Sequence, residues 1–370
     1  MQKPTLLIVI DNLQKGGAEV LLVGILAELN ELFDIVLVTL SAECDFFEDQ
    51  ILCRRKYELD FKGKYSIFKS VLKLKKIIAK EKPSLIHSHL FYSSVISRMA
   101  SPSSIPVFYS LHNEMSKNVF EGSKIFTLLE KQTLKQNHFA IAVSENVKRD
   151  YEKMIGLQKK MFVLPNYISK EFFEEGIFKK SDKTRLPLKL VAVGNIKRQK
   201  NYLYLAKAFE QMKDLPVILD IYGAGSEKET NSLYSEIHKN NLAIHLKGKA
   251  NDVSEILLKY DLLVSSSLYE GFGISVAEAM AKGLPVLLSD LPVFHEITSG
   301  NALFFDVNDP TSFVNLIKEI LEKKHDLYQL SQKGIMISKR YNKENYLEKL
   351  FNIYHSVLDK KPVHFETENA

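Results

Sequence analysis

One stretch constrains the fold more than any other: residues 261 to 290 read DLLVSSSLYEGFGISVAEAMAKGLPVLLSD. An apolar run at Leu262 to Val264 precedes a Gly-Phe-Gly turn. A helical pattern then runs from about Ser275 to Lys282, and Gly283 with Pro285 stops it. Strand, glycine loop and helix in that order build a parallel sheet, because the helix must carry the chain back over the sheet. The loop presents backbone N–H groups beside a helix N-terminus, where anions bind. Glu270 lies in this loop and Glu278 about one turn into the helix. Carboxylates cannot hold the anion; they accept hydrogen bonds from hydroxyls such as those of a sugar or ribose. Phosphate and sugar together point to a nucleotide sugar, whereas two solvated carboxylates on a surface loop are the plain alternative.

The same rhythm recurs along the chain. In the first half, strands are expected at Leu6–Ile10, Asp34–Thr39, Leu85–His87, Val107–Ser110 and Ala140–Val143. Amphipathic helices are expected at Glu19–Asn30 and Tyr65–Lys80. A charged connection follows, and a second series starts with strands at Leu188–Val193, Val217–Tyr222, Ala243–Leu246, Leu262–Val264 and Val286–Leu288. A chain of 370 residues suits two domains of ordinary size. The expected division is 1–168, a connection at 169–187, and 188–342, which carries the nucleotide-sugar motif. A C-terminal helix is expected at 343–358 and a disordered tail at 359–370. Open α/β sheets bind ligands at the carboxyl ends of their strands, so two such sheets facing each other make a cleft.

Composition excludes little but removes some classes. The only cysteines are Cys44 and Cys53, without a CxxC spacing, which fits a reduced cytoplasmic chain, a disulfide between them being the alternative. No apolar run reaches the ~20 residues that span a bilayer. A net charge of +5 demands neither nucleic acid nor a membrane surface, and no nucleic-acid partner is expected. Along the helix at Tyr65–Lys80, Lys69, Lys73, Lys76 and Lys80 share one face. Such a stripe is either simply solvated or meets an anionic membrane surface.

Four further motifs follow strands. Gly16 and Gly17 come after the first, in LQKGGAE, where glycines allow close backbone approach and positive φ, with Glu19 complementing the helix dipole. Lys197, Arg198 and Lys200 follow Val193-Gly194-Asn195; cations at a helix start call for an anion between them. Gly223 and Gly225 follow Tyr222, and His112 follows the strand at Val107–Ser110. His87 and His89 end another strand, but no third and fourth zinc ligand stands at a suitable spacing.

The pattern E-G-F-G with a second glutamate eight residues on, together with Ala277, Ala279, Met280 and Gly283, resembles glycosyltransferase family 4. These are retaining enzymes with two Rossmann-like domains (the GT-B fold), and the resemblance extends over nearly the whole chain. It implies a retaining glycosyltransferase that moves a hexose-type sugar from a nucleotide-diphosphate sugar, UDP- or GDP-linked, to a hydroxyl of a glycan or lipid-linked acceptor. Bacterial surface polysaccharide or glycolipid synthesis is the implied setting, in the cytoplasm or peripherally at the inner face of the cell membrane. By the same resemblance 1–168 is the acceptor side, to which the helix at 343–358 returns, and Glu270 and His112 act on the donor sugar. Gly16, Gly17, Arg198, Lys200, Gly271, Phe272 and Gly273 meet the diphosphate. Glu278, Gly223 and Lys247 shape the nucleotide and ribose pocket. Asn195 stands where the family carries Arg; either Arg198 supplies the second cation from a shifted position, or Lys200 and backbone amides hold the phosphate alone. No metal and no cofactor are implied, since no Asp-x-Asp cluster is present. A sugar-nucleotide epimerase of the same fold and a non-catalytic nucleotide-sugar-binding subunit are the alternatives.

Overall fold

The computed structural model describes residues 3–119, 121, 123–156, 160–174, 186–250 and 252–359. Most of the expected connection (175–185) and of the tail (360–370) lies outside them. The chain divides into two compact units, Met1–Asn166 with Glu344–Ala370, and Tyr167–Lys343.

Unit 1 holds a parallel sheet of β1 (Thr5–Ile10), β2 (Asp34–Thr39), β3 (Arg55–Glu58), β4 (Leu85–His89), β5 (Val107–Leu111), β6 (His138–Ala142) and β7 (Met161–Val163). Its order is β3-β2-β1-β4-β5-β6-β7. The order reverses between β1 and β4, which pair in register Leu6 to Leu85 through Val9 to Ser88. β1, β2, β4 and β5 are almost wholly buried, as a sheet covered on both faces requires, and β1 and β2 are near-continuous apolar runs. The C-terminal helix Lys343–Leu358 belongs to this unit, where Tyr354 packs edge-on against Phe33.

Unit 2 holds β8 (Leu188–Val193), β9 (Val217–Tyr222), β10 (Ile244–Gly248), β11 (Leu262–Ser265), β12 (Val286–Ser289) and β13 (Leu303–Phe305), in the order β10-β9-β8-β11-β12-β13. Its switch point lies between β8 and β11. Residues 261–290 fold as expected: β11, a loop, then the helix Ile274–Ala281 leading to β12. Gly283, at φ 73°, supplies the left-handed turn that ends this helix.

Two expectations change. The helix foreseen over 19–30 is two, Gly17–Val23 and Leu26–Leu32, broken at Gly24 and Ile25. The lysine stripe sits on Ile67–Glu81, whose outward side is not purely basic: Phe68 and Leu72 are exposed there, with Tyr65 just before. Lys73 is turned to the carbonyl of Leu59 at 2.7 Å, and Lys80 lies over the Tyr57 ring. Lys69 and Lys76 therefore stay in water beside apolar side chains, because the inward face is already filled by Val71, Leu74 and Ile78. No helix among the described residues is long and apolar enough to cross a membrane.

Candidate active site

In unit 2 the loops after β8 and β11 meet at the switch point, where open α/β sheets bind ligands. Lys200 Nζ donates to Glu270 Oε1 at 2.6 Å, and Ser267 Oγ donates to the same oxygen at 2.8 Å. Both side chains of the ion pair are nearly buried, at 15% and 10% exposure, so the pair is shielded from screening. The backbone stitches the loops together as well. Leu268 N–H donates to Gln199 O, Gln199 Nε2 to Tyr269 O, and Ser266 Oγ to Lys200 O. Two residues separated by 70 positions in sequence are thereby held in one geometry.

Lys197 joins them. It is exposed as a residue, yet protein crowds its ammonium: burial and then the Lys200 cation push its pKa down, while Glu270 and Glu229 pull it back. Arg198 and Asn195 are exposed, and the Arg198 N–H donates to Glu229 Oε1 at 3.1 Å. Gly194 and Gly223 are glycines for packing reasons. A Cβ on Gly223 would lie 2.0 Å from the Gly194 carbonyl oxygen, and one on Gly194 would lie 2.8 Å from Lys200 Cε. Tyr202 donates to that same Gly194 carbonyl at 3.0 Å.

Gly271, Phe272 and Gly273 form the turn into the helix, with Gly273 at φ 88° and hard against the Phe294 ring. The Phe272 side chain is 3% exposed and meets Tyr341 edge-on at 5.1 Å. A ligand in this loop is thus reached by the Phe272 backbone and not by its ring. Glu278 differs from Glu270. Its carboxyl makes no hydrogen bond among the described residues, and although part of its surface is open, burial raises that carboxyl to about 7, with Glu171 adding to the shift. Lys247, at the end of the edge strand β10, pairs loosely with Asp220 at 3.7 Å. The adjacent Gly248 carbonyl accepts from Gly223 N–H, which ties this end of β10 to the turn after β9.

In unit 1 the loops after β1, β4 and β5 converge. Asp11 accepts from both the backbone N–H and the hydroxyl of Ser93, across the β1–β4 switch point, at 2.9 and 2.6 Å. Burial raises the Asp11 and Glu19 carboxyls above their ordinary range. Gly16 and Gly17 do not take positive φ. Gly16 is extended at φ −119° and Gly17 opens the helix. The reason for glycine is contact: a Cβ on Gly16 would lie 2.4 Å from Glu19 Oε2. Glu19 is buried over that turn and is more than a solvated dipole partner.

His112 follows β5, and its Nε2 lies 3.2 Å from His89 Nδ1, in hydrogen-bond contact. The His89 ring lies tilted against that of His87, with centroids 4.2 Å apart, and His87 is pinned by Tyr354 at 2.5 Å and Ser110 at 2.8 Å. Burial pushes His87 to about 3, His112 to about 4, and His89 well below its ordinary range. All three rings are neutral near pH 7. Among the described residues no cluster of three His, Cys, Asp or Glu side chains is placed to hold a metal ion.

Residues 173–336 match the family model described as glycosyl transferases group 1, and residues 15–172 match the one described as glycosyltransferase family 4. The chain belongs to the family 4, group 1 glycosyltransferases. This glycosyltransferase is 27% identical over 327 residues to the UDP-Gal:alpha-D-GlcNAc-diphosphoundecaprenol alpha-1,3-galactosyltransferase of Escherichia coli. That match spans 80% of this chain and 82% of the relative. It is 28% identical to the O-antigen chain mannosyltransferase RfbU of Salmonella typhimurium, over 53% of this chain and 54% of that one. Its fold is shared with Anabaena HepE, solved in complex with UDP and glucose. The TM-score is 0.81 at 16% identity, over 95% of this chain and all of that one. The two parallel-sheet units are those of the GT-B fold.

Sequence reading put Lys200 and Glu270 in separate motifs and did not foresee their pairing. It also passed over Ser267, whose hydroxyl lies three residues before the glutamate it serves, and Asp11, which follows β1 just as Gly194 follows β8. Strand-end position was the signal available for Asp11; nothing local marks Ser267.

Proposed function

We propose that this glycosyltransferase moves a hexose from a UDP-sugar to a hydroxyl of a glycan or lipid-linked acceptor, with retention at the anomeric carbon and without a metal. The observation that carries the reading is the shielded Lys200–Glu270 pair across the unit 2 switch point. A diphosphate entering there takes over the Lys200 ammonium, with Lys197 and Arg198 beside it, and frees Glu270 Oε1 to accept from sugar hydroxyls. Glu278, with both oxygens uncommitted, accepts from the ribose hydroxyls. His112 hydrogen-bonds the sugar near the reacting carbon, the role that the family resemblance assigns to this position. As the bond from the anomeric carbon to the phosphate oxygen breaks, Lys200 and the amides of the loop over 271–273 stabilise the negative charge that develops. The acceptor oxygen bonds the same carbon from the same face, and its proton passes to the departing phosphate. UDP is favoured over GDP because the E. coli relative is named for UDP-Gal and HepE was solved with UDP.

A thermal-shift panel of UDP-glucose, UDP-galactose, UDP-N-acetylglucosamine and GDP-mannose tests the donor. Transfer is then followed by NMR of the anomeric proton, with and without EDTA. No stabilisation by any UDP-sugar sinks the donor reading, an inverted product sinks retention, and loss of activity in EDTA sinks metal independence. An epimer formed from the donor alone would favour the epimerase, and binding without transfer to any acceptor the non-catalytic subunit.

The exposed Tyr65, Phe68 and Leu72 beside Lys69 and Lys76 support a second element of the reading, a lipid-facing surface on unit 1. Phe68→Asp with Lys69→Glu should abolish co-sedimentation with anionic vesicles; unchanged binding removes this element.

A further inference from the structure

His89 carries an unexplained feature. Its ring is buried, at 4% exposure, yet Nε2 has no hydrogen-bond partner among the described residues. Nδ1 faces His112 Nε2, which is the one hydrogen bond that His112 makes among the described residues. The ring is not free to turn. One face lies on His87, itself locked between Tyr354 and Ser110. The chain leaves His89 through Leu90, a non-glycine residue at φ 70° and ψ 169°. Such a strained backbone persists only where its surroundings impose it. Here the Leu90 carbonyl accepts from Ser94 Oγ at 2.6 Å, and Ser93 anchors the same helix start to Asp11.

Only one proton lies between His89 Nδ1 and His112 Nε2, and its owner decides both tautomers. If His112 donated, His89 would carry its own proton on Nε2, leaving a buried N–H with no acceptor. If His89 donates, its Nε2 is instead a bare lone pair. Buried N–H groups without a partner are rarer than under-satisfied acceptors, which selects the second arrangement. His112 then keeps its proton on Nδ1, the nitrogen turned away from His89.

We propose that His89 is a positioning residue: by donating Nδ1–H to His112 Nε2 it fixes His112 as the Nδ1–H tautomer, which presents an N–H donor to an oxygen of the donor sugar. The inference rests on the proposed function for the sugar, but the tautomer itself needs no substrate. Burial keeps both rings neutral, so the group offered is a hydrogen-bond donor and not a cation. A free imidazole side chain prefers the proton on Nε2, so without His89 the preference of His112 would reverse.

Long-range proton–nitrogen NMR of histidine-labelled, ligand-free protein at pH 7.5 reads the tautomer, with His112→Phe to assign the ring. The expected wild-type spectrum shows protonated Nδ1 and bare Nε2 on His112. In His89→Leu the Nε2–H form should dominate, with kcat falling about tenfold to a hundredfold and KM changing little, as for loss of one buried hydrogen bond. His89→Asn, which keeps a side-chain N–H donor, should recover most of kcat. A wild-type His112 protonated on Nε2 overturns the proposal whether or not any variant folds. So does a folded His89→Leu with unchanged tautomer and kcat. The expected tautomer in a protein that binds no nucleotide sugar counts against the proposed function and supports the pairing.

Discussion

Each unit bridges its own switch point with a polar contact, and the two contacts are of different kinds. In unit 2 a cation meets a carboxylate, Lys200 on Glu270. In unit 1 the Asp11 carboxyl accepts from Ser93 and forms no ion pair among the described residues, and burial keeps the imidazoles of His87, in β4, and His112, after β5, neutral. Two sheets of similar construction thus end in opposite electrostatics. On the proposed reading, unit 2 exchanges one ionic partner for another, as a diphosphate requires, and unit 1 offers hydrogen bonds without charge, which suits hydroxyl groups.

Breaking the ionic bridge should have the largest effect. Lys200→Ala removes the group assigned to the leaving diphosphate, and kcat should fall by about 10² to 10³, the loss typical of one charge-stabilising donor. It also strands Glu270 in a nearly buried site, at ~3 kcal/mol of stability. The double variant Lys200→Met with Glu270→Gln should regain most of that stability while staying inactive. Chemical denaturation and a UDP-release assay separate the two quantities. If Glu270→Gln alone leaves transfer intact, the bridge is structural, and the contrast between the units loses its functional meaning.

The glycine turns sharpen the same comparison. At Gly223 a Cβ would strike a backbone carbonyl, which cannot step aside; at Gly16 it would strike the far end of the Glu19 side chain, which can. Gly223→Ala should therefore destabilise unit 2 by ~3 kcal/mol, the upper range for forced overpacking. Gly16→Ala should cost under ~1 kcal/mol and mainly displace Glu19. Equal losses in urea denaturation would mean that the two turns are equally rigid.

Much of this was legible from residue patterns and some was not, for a physical reason. β8 and β9 and the helix Lys343–Leu358 fall where periodicity placed them, because long apolar or amphipathic runs carry their own signal. β3, β7 and β13 are short edge-side strands, exposed or only part-buried in the first two, and they left no pattern to read. Glu270 was visible as a residue in a loop. Its partners were not, because Lys200 is brought to it by the pairing of β8 with β11 and not by local sequence. The positive φ expected for Gly16 and Gly17 failed for a related reason: a glycine can be required by what would touch its Cβ as well as by its dihedrals. The burial of Glu19 follows from tertiary packing that helix-dipole reasoning does not contain.

The smallest expected effect is also the one that sets the units against each other. Between pH 7.5 and 5.5 the unfolded chain protonates its histidines, whereas His87 and His89 stay neutral in the fold. Their folded pKa values are depressed, so their stabilisation is present above the unfolded value and is lost as pH falls, by ~1.4 kcal/mol for each fully buried ring over that range. Asp11 and Glu19 shift the other way, from unfolded values near 4, and oppose this loss mainly at the acid end. Glu278 has the opposite sign in unit 2. Its carboxyl is raised to about 7, so its contribution is fully present below the unfolded value and is lost as pH rises through 7. Allowing for its part-open surface, acidification to pH 5.5 should relieve unit 2 by on the order of 1 kcal/mol. Native-state hydrogen exchange, corrected for the intrinsic pH dependence of exchange, should show β4 and β5 losing protection on acidification while the helix Ile274–Ala281 gains it. Glu278→Gln should abolish the gain and leave the loss untouched. A ribose donating to Glu278 favours its ionised form, so UDP binding near pH 6 should release a proton, seen by calorimetry in buffers of different ionisation enthalpy. Proton uptake there would place a protonated Glu278 against the nucleotide and reverse its assigned role as acceptor.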